Sequence, residues 1–114
     1  MIYLSNQKKG LIKMNLVNIV GQIEGDATVA YTSKDGAKKF YKFIVKVPKP
    51  YKSKEVDSFD YINIKTWSNA VDDEFLLHDQ AVVGIEGRIE SFTSNNDLTN
   101  IRNEIFANRI LYLN

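Results

Sequence analysis

Cysteine is absent from this chain of 114 residues. Disulfide bonds, thiolate metal sites and cysteine nucleophiles are therefore excluded, and the composition is compatible with a reducing, cytoplasmic location. Long apolar segments are absent as well: no run approaches the roughly 20 residues of a membrane-spanning helix, and the N-terminus lacks the apolar core of a secretion signal. We therefore expect one soluble domain with a single hydrophobic core.

Residues that usually carry catalysis or bind metal ions are scarce. The one histidine, His78, lies beside Asp79 at the end of a predicted helix, where it favours the helix C-terminus more readily than it acts as a base. The acidic run 72–74 points in different directions on a helix, which is typical of a solvated first turn. A glycine-rich phosphate loop and paired histidines are both lacking. The sequence thus predicts no catalytic residue, no metal site and no cofactor, and it argues against an enzyme.

The formal net charge of +1 conceals a strong segregation of charge along the chain. Between Lys34 and Lys54, eight lysines are accompanied by one acid, Asp35, which leaves that segment with a charge of +7. A local positive field of this kind can attract a polyanion even when the whole molecule is nearly neutral. On charge alone, a solvated lysine-rich hairpin explains the pattern equally well.

Most of the chain alternates between apolar and polar residues with the period of β-strands. Asp35-Gly36 predicts a hairpin turn, because glycine adopts positive φ at low cost. Pro48 and Pro50 lack the amide hydrogen that a strand ladder requires, so residues 48–58 are predicted to form an exposed loop. The predicted strands comprise residues 16–23, 27–32, 39–47, 60–67, 81–92 and 104–113.

One segment, residues 68–79, has helical rather than strand spacing, with Ser68 or Asn69 as the N-cap. When the two runs on either side of Asp35-Gly36 are counted as one bent, extended element, the order is three strands, one helix and two strands, which is that of the OB-fold, a five-stranded, partly open Greek-key barrel. The sequence therefore predicts an all-β OB-fold domain over residues 14–114, with one short helix between strands 3 and 4. Residues 1–13 lie outside the strand pattern and are expected to form an additional arm, flexible or as an extra strand.

The strand DYINIKTW, residues 60–67, carries aromatic and cationic residues on the side that should face water. Its isoleucines belong to the usual core side, whereas Tyr61, Lys65 and Trp67 project from the other. Outward aromatics are explained by rim packing, by a subunit interface or by a binding surface. Three neighbouring segments add further candidates. These are Phe40, Lys42 and Lys46 on the strand 39–47, Lys49, Tyr51, Lys52 and Lys54 in the loop 48–58, called the proline loop below, and Phe92 at the end of the strand 81–92.

Interleaved aromatic rings and lysines match the chemistry of single-stranded nucleic acid. In proteins that bind single strands, each unpaired base stacked on an aromatic ring contributes about 1–3 kcal/mol with little sequence preference, and lysines add a salt-dependent attraction for phosphates. The candidate stacking residues are Tyr51, Tyr61, Trp67, Phe92 and Phe40. The candidate phosphate contacts are Lys42, Lys46, Lys49, Lys52, Lys54 and Lys65.

Four stretches of the chain carry a family resemblance, namely MNLVNIVGQIEGD, DYINIKTWSNA, VVGIEGRIESF and EIFANRILYL. Their order and spacing over residues 14–113 resemble the bacterial single-stranded-DNA-binding protein family. The resemblance implies an OB-fold that protects single-stranded DNA during replication, recombination or repair, in the cytoplasm and associated with the nucleoid. It places the family's base-stacking aromatics on Tyr51, Tyr61 and Trp67 and, with a shift of a few residues in the alignment, on Phe92.

The resemblance also implies self-association, with a tetramer favoured over a dimer. Leu16 and Val20 lie opposite the core side of the first strand and are candidates for that interface, with cover by the N-terminal arm as the alternative. Family members usually continue into a tail whose acidic tip recruits replication and repair enzymes; this chain stops at Asn114, so the resemblance leaves open whether replication or repair proteins are its partners. The competing interpretation is a tailless OB-fold module that docks onto a primosome or replication complex and binds nucleic acid weakly.

Overall fold

The computed structural model describes residues 13–51 and 58–114, and β-strands account for most of them. The strands are β1 (Val17–Thr32), β2 (Lys39–Pro48), β3 (Phe59–Trp67), β4 (Val82–Thr93) and β5 (Ile101–Tyr112). They close into a barrel in the order β1-β2-β3-β5-β4, with β4 paired back onto β1. Every neighbouring pair is antiparallel except β3 with β5. The predicted five-stranded OB-fold is therefore confirmed.

β1 is one long bent strand, although the sequence pattern predicted two separate runs. Its first part, Val17 to Gln22, pairs with β4, and its second part, from Gln22 to Thr32, pairs with β2. The bend coincides with a register shift after Glu24, next to Gly25 at a φ of 80°. Because one strand contributes to both sides of the closure, the barrel has no free edge at β1.

The predicted helix between β3 and β4 is replaced by two single 3₁₀ turns, Ser68–Ala70 and Glu74–Leu76. Between them, Val71 is buried in the core and forms an isolated parallel bridge with Ile110 of β5. The Asp73 carboxylate accepts a hydrogen bond from the Phe75 amide and starts a new turn there. Core burial and strand pairing of Val71 thus interrupt a segment whose spacing alone favours a helix.

The barrel interior is filled by branched aliphatic side chains from β1, β2, β3 and β4. Ile23, Val45, Ile64, Val83 and Ile85 are almost completely buried. Burial of each such side chain contributes about 1.5–3 kcal/mol to folding. Since these residues occupy the inward positions of their strands, the alternate positions project from the barrel surface and are available for other roles.

β5 changes the face that it presents once, at a β-bulge. Glu86 lies opposite Arg109 and Gly87 opposite Ala107, so Asn108 is an extra residue on β5. On one side of the bulge Glu104 and Phe106 lie on the outer surface, and on the other side Arg109 does. Gly87 sits at this corner against the backbone of Phe106, where a side chain would have no room.

Candidate nucleic-acid interface

The outer faces of β2 and β3 bring many of the predicted aromatics and lysines together. The directly opposed pairs are Phe40 with Trp67, Lys42 with Lys65, Ile44 with Asn63, and Lys46 with Tyr61. Opposed residues of an antiparallel pair project to the same side of the sheet, so these eight side chains form one strip, named here the β2–β3 strip. Its length from Phe40 to Lys46 is roughly 20 Å. The predicted adjacency of the two strand faces is confirmed.

One end of the β2–β3 strip is a cluster of three aromatic rings. Tyr31 of β1 stacks on Phe40 with ring centroids 5.0 Å apart and an interplanar angle of 18°. Trp67 meets Phe40 at 5.0 Å and Tyr31 at 5.3 Å, both edge to face. Such contacts hold the indole in one orientation, while Tyr31 stays about half exposed and Trp67 partly exposed.

Tyr31 was not among the residues that the sequence analysis singled out. It lies on β1 directly opposite Phe40, just before the hairpin that joins β1 to β2. The turn at Asp35-Gly36 is present as predicted, with Gly36 at a φ of 74°. Counting back from that turn pairs Tyr31 with Phe40, so the hairpin signal in the sequence could have identified it.

The opposite end of the β2–β3 strip carries exposed aromatics beside the proline loop. Tyr61 is 55% exposed and Tyr51 is 65% exposed. Phe59, which the sequence analysis missed, lies under the Lys46 ammonium, with 4.9 Å between Nζ and the ring centroid. Free ring faces at Tyr51 and Tyr61 are what base stacking requires.

The lysines of β2 and of the loop differ in how they are paired. Lys46 Nζ lies 3.5 Å from Glu24 Oε1, and Lys49 forms an ion pair with Asp60 whose hydrogen bond raises the pKa of the lysine. These pairs are partly exposed and contribute little to stability, so a phosphate can take the place of the carboxylate. Lys42 forms no ion pair with a carboxylate in residues 13–51 and 58–114. Lys52 and Lys54 lie outside the described residues and stay predictions.

Phe40 and Lys65 do not face solvent, contrary to the expectation from strand alternation. Each retains only 9% exposure. Phe40 is covered by the rings of Tyr31 and Trp67, so it supports the two outer rings instead of offering a free face. Lys65 is covered because acidic and aromatic side chains of β4 and β5 close over it, which an inspection of β3 alone could not reveal.

The Lys65 ammonium lies between two carboxylates. Its Nζ is 2.6 Å from Glu90 Oε1 and 3.2 Å from Glu104 Oε1. Arg88 donates a hydrogen bond of 2.7 Å to Glu90, and Arg102 lies 3.8 Å from Glu104. These five side chains are called the Lys65 cluster below. With three cations and two carboxylates, the cluster has a formal net charge of +1, and each of its cations is paired with a carboxylate.

The same geometry shifts the pKa values within the Lys65 cluster. Burial lowers the pKa of Lys65, but hydrogen bonds to Glu90 and Glu104 outweigh it and the net pKa is raised. The hydrogen bond from Lys65, helped by Arg88, holds the pKa of Glu90 below its ordinary value of 4.5 against the opposing effect of burial. At neutral pH, both groups are therefore held in their charged forms.

Phe92 borders the Lys65 cluster on β4. Its ring centroid is 4.4 Å from Lys65 Nζ and 5.3 Å from Arg102 Cζ, and the side chain is 38% exposed. Contact with two cations favours one position of the ring, and part of its surface stays open. Its use as a stacking platform stays a prediction.

A cleft of about 440 Å³ lies along the middle of this surface. The residues that line it come from four strands: Glu24, Asp26 and Thr28 of β1, Lys42, Phe43 and Ile44 of β2, Asn63, Ile64 and Lys65 of β3, and Arg102 and Glu104 of β5. The mixture of apolar, amide and charged groups suits a nucleotide, which combines a flat base with a charged backbone.

Within residues 13–51 and 58–114, no three side chains of histidine, aspartate or glutamate are grouped closely enough to hold a metal ion. That part of the chain also contains no helix of the length and apolarity needed to cross a bilayer.

Three solved structures are similar to this chain. The N-terminal domain of the PriB protein from Thermoanaerobacter tencongensis, described as dimeric, matches with a TM-score of 0.65 and 24% identity over 88% of this chain and 97% of that domain. A deletion variant of the single-stranded DNA binding protein from Thermus aquaticus matches with a TM-score of 0.66 and 15% identity. The wild-type Thermus aquaticus protein matches with a TM-score of 0.63 and 14% identity.

The extent of these matches limits what they establish. Both Thermus aquaticus matches cover 89% of this chain, which spans about half of those proteins, 51% and 50% respectively. No protein-family model and no curated protein sequence matches the chain. At these identities the similarity establishes a shared fold, the OB-fold, and the strand order observed here agrees with it.

Proposed function

We propose that this protein binds single-stranded DNA with little sequence preference and without catalysing a reaction, protecting the strand during replication, recombination or repair. Bases stack on Tyr51, Tyr61, Trp67 and Phe92, and phosphates contact Lys42, Lys46 and Lys49, with Lys52 and Lys54 as further predicted contacts. Phe40 supports the stacking surface from beneath.

The observation that carries the proposal is the β2–β3 strip. Aromatic rings at its two ends are separated by roughly 20 Å of strand; on the same face, Lys42 lies between the two ends and Lys46 lies beside Tyr61. Either component alone has an ordinary structural explanation, whereas rings and ammonium groups on one open surface meet both needs of an unpaired strand. The similarity to the Thermus aquaticus single-stranded DNA binding protein supports the same proposal.

Titration with oligo-dT, monitored by tryptophan fluorescence, tests the proposal. Trp67 is the one tryptophan of the chain, so any change in emission reports on the β2–β3 strip. We expect quenching on binding, and a Kd that rises with salt with a slope of about 0.7 on a logarithmic plot for each phosphate neutralised. A duplex of the same length serves as the control and should bind more weakly, because its bases are not free to stack. Unchanged emission at low salt, with no binding in a parallel anisotropy titration, would contradict the proposal.

A protein-docking module is the second candidate function. The observation in its favour is Phe75, which is 85% exposed on the 3₁₀ turn Glu74–Leu76. A single exposed apolar residue is common on protein surfaces and carries less weight than a strip of matched groups. The fluorescence titration distinguishes the two functions. Single-strand binding on the strip predicts that oligo-dT quenches Trp67, whereas docking through Phe75 predicts no such quenching.

We also propose that the protein associates with itself, as a dimer or tetramer. An apolar row crosses the outer side of the sheet formed by β1, β4 and β5, where Val20 lies opposite Gly84 and Gly84 opposite Leu111. Val20 is 61% exposed, and Leu16, Leu111 and Leu113 are also exposed. A flat apolar row of this kind suits a two-fold interface that uses the same patch on both copies. The similarity to a domain described as dimeric supports this.

Val20→Glu is expected to shift the protein to a smaller mass in sedimentation velocity, because two buried carboxylates would face each other across a two-fold interface. Val29→Glu is the matched control. It introduces the same change on the same strand at another exposed valine, outside the apolar row, and should leave the mass unchanged. Equal masses for the two variants and the unaltered protein would argue that the row is not an interface between copies.

A further inference from the structure

We propose that Glu90 and Glu104 withhold Lys65 from the polynucleotide and thereby confine its phosphates to the β2 side of the β2–β3 strip. The inference rests on the proposed single-strand binding and adds the course of the backbone across the site. It assigns Glu90 and Glu104 as positioning residues that act through Lys65.

Two opposed lysines at the centre of the strip have different surroundings. Lys42 and Lys65 face each other across β2 and β3 at the centre of the strip. Lys42 is exposed and has no ion-pair partner in the described parts of the chain, whereas Lys65 is buried and has two. Among the described residues, Lys65 is the one charged side chain that is buried. A sequence pattern that treats the two lysines as equivalent therefore misplaces the positive charge.

Lys65 is difficult to separate from the carboxylates of Glu90 and Glu104. Its ammonium is held by Glu90 at 2.6 Å and by Glu104 at 3.2 Å, and the latter side chain is itself only 15% exposed. If Lys65 formed an ion pair with a phosphate instead, both carboxylates would be poorly solvated and would lie next to another negative group. Lys46 and Lys49 differ, because the carboxylates with which they pair are about half exposed and can return to water.

The distribution of free and paired charges determines the course of the DNA backbone across the strip. Lys42 and Lys46 on β2 are open to phosphate, whereas on the side of β4 and β5 the cations Lys65, Arg88 and Arg102 are each paired with Glu90 or Glu104, which weakens their attraction for phosphate. A backbone that follows β2 directs its bases over β3, where Trp67 and Tyr61 offer ring surfaces. The carboxylates thus separate a phosphate side from a base side.

Glu104→Gln tests the inference, with Glu86→Gln as the matched control. Both replacements remove one negative charge at nearly constant shape, but Glu86 is exposed on β4 beside Arg109, outside the Lys65 cluster. We expect Glu104→Gln to bind oligo-dT roughly three- to tenfold more tightly than Glu86→Gln, since repulsion is removed close to the strand. Its logarithmic salt slope should be steeper by about 0.7, the value for one additional phosphate contact.

A charge-conserving double variant, Lys65→Gln with Glu104→Gln, provides the second measurement should the single variant be poorly folded. It removes one charge of each sign and leaves Glu90 paired with Arg88. We expect the affinity and the salt slope of the unaltered protein, because Lys65 makes no phosphate contact there. A slope lower by about 0.7 in the double variant would show that Lys65 does contact a phosphate and would overturn the inference.

The remaining outcomes separate this inference from the proposed function. Equal affinities and equal slopes for Glu104→Gln and Glu86→Gln, with normal binding by the unaltered protein, would overturn the inference and leave single-strand binding in place. Absence of binding by the unaltered protein would overturn the proposed function and the inference together.

Discussion

Replacing Tyr61 with alanine is expected to weaken binding of oligo-dT by roughly 5- to 150-fold, which corresponds to the loss of about 1–3 kcal/mol from one stacked base. The ring lies at the end of the β2–β3 strip opposite Lys46, and 55% of the side chain is exposed. Little of the hydrophobic core depends on it, so the temperature of unfolding should change little. Anisotropy titrations at constant salt measure the affinity, and thermal denaturation by circular dichroism measures the stability.

Tyr112→Ala is the matched control for this prediction. Tyr112 is exposed to a similar extent, 42%, and lies on β5 opposite Val83 of β4, without a pairing to β2 or β3. The two variants remove the same ring from positions of comparable exposure, of which only that of Tyr61 lies on the β2–β3 strip. Equal affinities for Tyr61→Ala and Tyr112→Ala would count against stacking on the strip, and unfolding of Tyr61→Ala would identify Tyr61 as a packing residue.

Gly87→Ala is expected to destabilise the barrel by about 1–3 kcal/mol, the usual cost of forcing extra atoms into a packed site. General rules for glycine give the opposite sign, because alanine restricts the unfolded chain and stabilises by about 0.4–1 kcal/mol wherever the native backbone accepts it. The backbone of Gly87 is not at positive φ. The obstacle is steric: a Cβ at this position would collide with the Phe106 carbonyl oxygen and lie 3.0 Å from the Cα of Ala107.

Thermal denaturation shows whether Gly87→Ala destabilises or stabilises the barrel. A loss of about 1–3 kcal/mol lowers the midpoint by roughly 4 to 15 °C in a domain of this size. Gly84→Ala is the control on the same strand, since its new Cβ would meet only the Leu113 side chain at an ordinary 3.6 Å. Both variants are compared in the Val20→Glu background, because Gly84 lies in the apolar row proposed as an interface between copies. If Gly87→Ala is as stable as Gly84→Ala, β4 and β5 are farther apart at the bulge than the structure has them.

The inward positions of the strands followed from the sequence because burial imposes a period of two on each strand. Phe43 and Val45 of β2, and Ile64 of β3, occupy the core as that period predicts. The hairpin at Asp35-Gly36 followed from its turn residues, and the adjacency of the basic face of β2 and the aromatic face of β3 followed because the outward residues of neighbouring strands share one side of the sheet.

Alternation along one strand could not show what covers its outer face. Lys65 belongs to the predicted outer side of β3, yet carboxylates of β4 and β5 enclose it. Glu104 reaches it because the bulge at Asn108 changes the face that β5 presents, and no local signal in the sequence marks that extra residue. The prediction of a helix after β3 is wrong for a related reason, because Val71 forms a bridge with Ile110 of β5.

By itself, the sequence determined the all-β class, the core side of each strand, the aromatic and basic character of one surface, and the absence of thiol chemistry. These properties depend on composition and on short-range periodicity, which a chain carries wherever it folds. Closure of the barrel decided three further properties. It determines which lysines are exposed, it buries Phe40 beneath Tyr31 and Trp67, and it leaves no room for a side chain at Gly87. Those outcomes depend on side chains distant in sequence but adjacent in space, and contacts of that kind exist only once the strands have paired into the barrel.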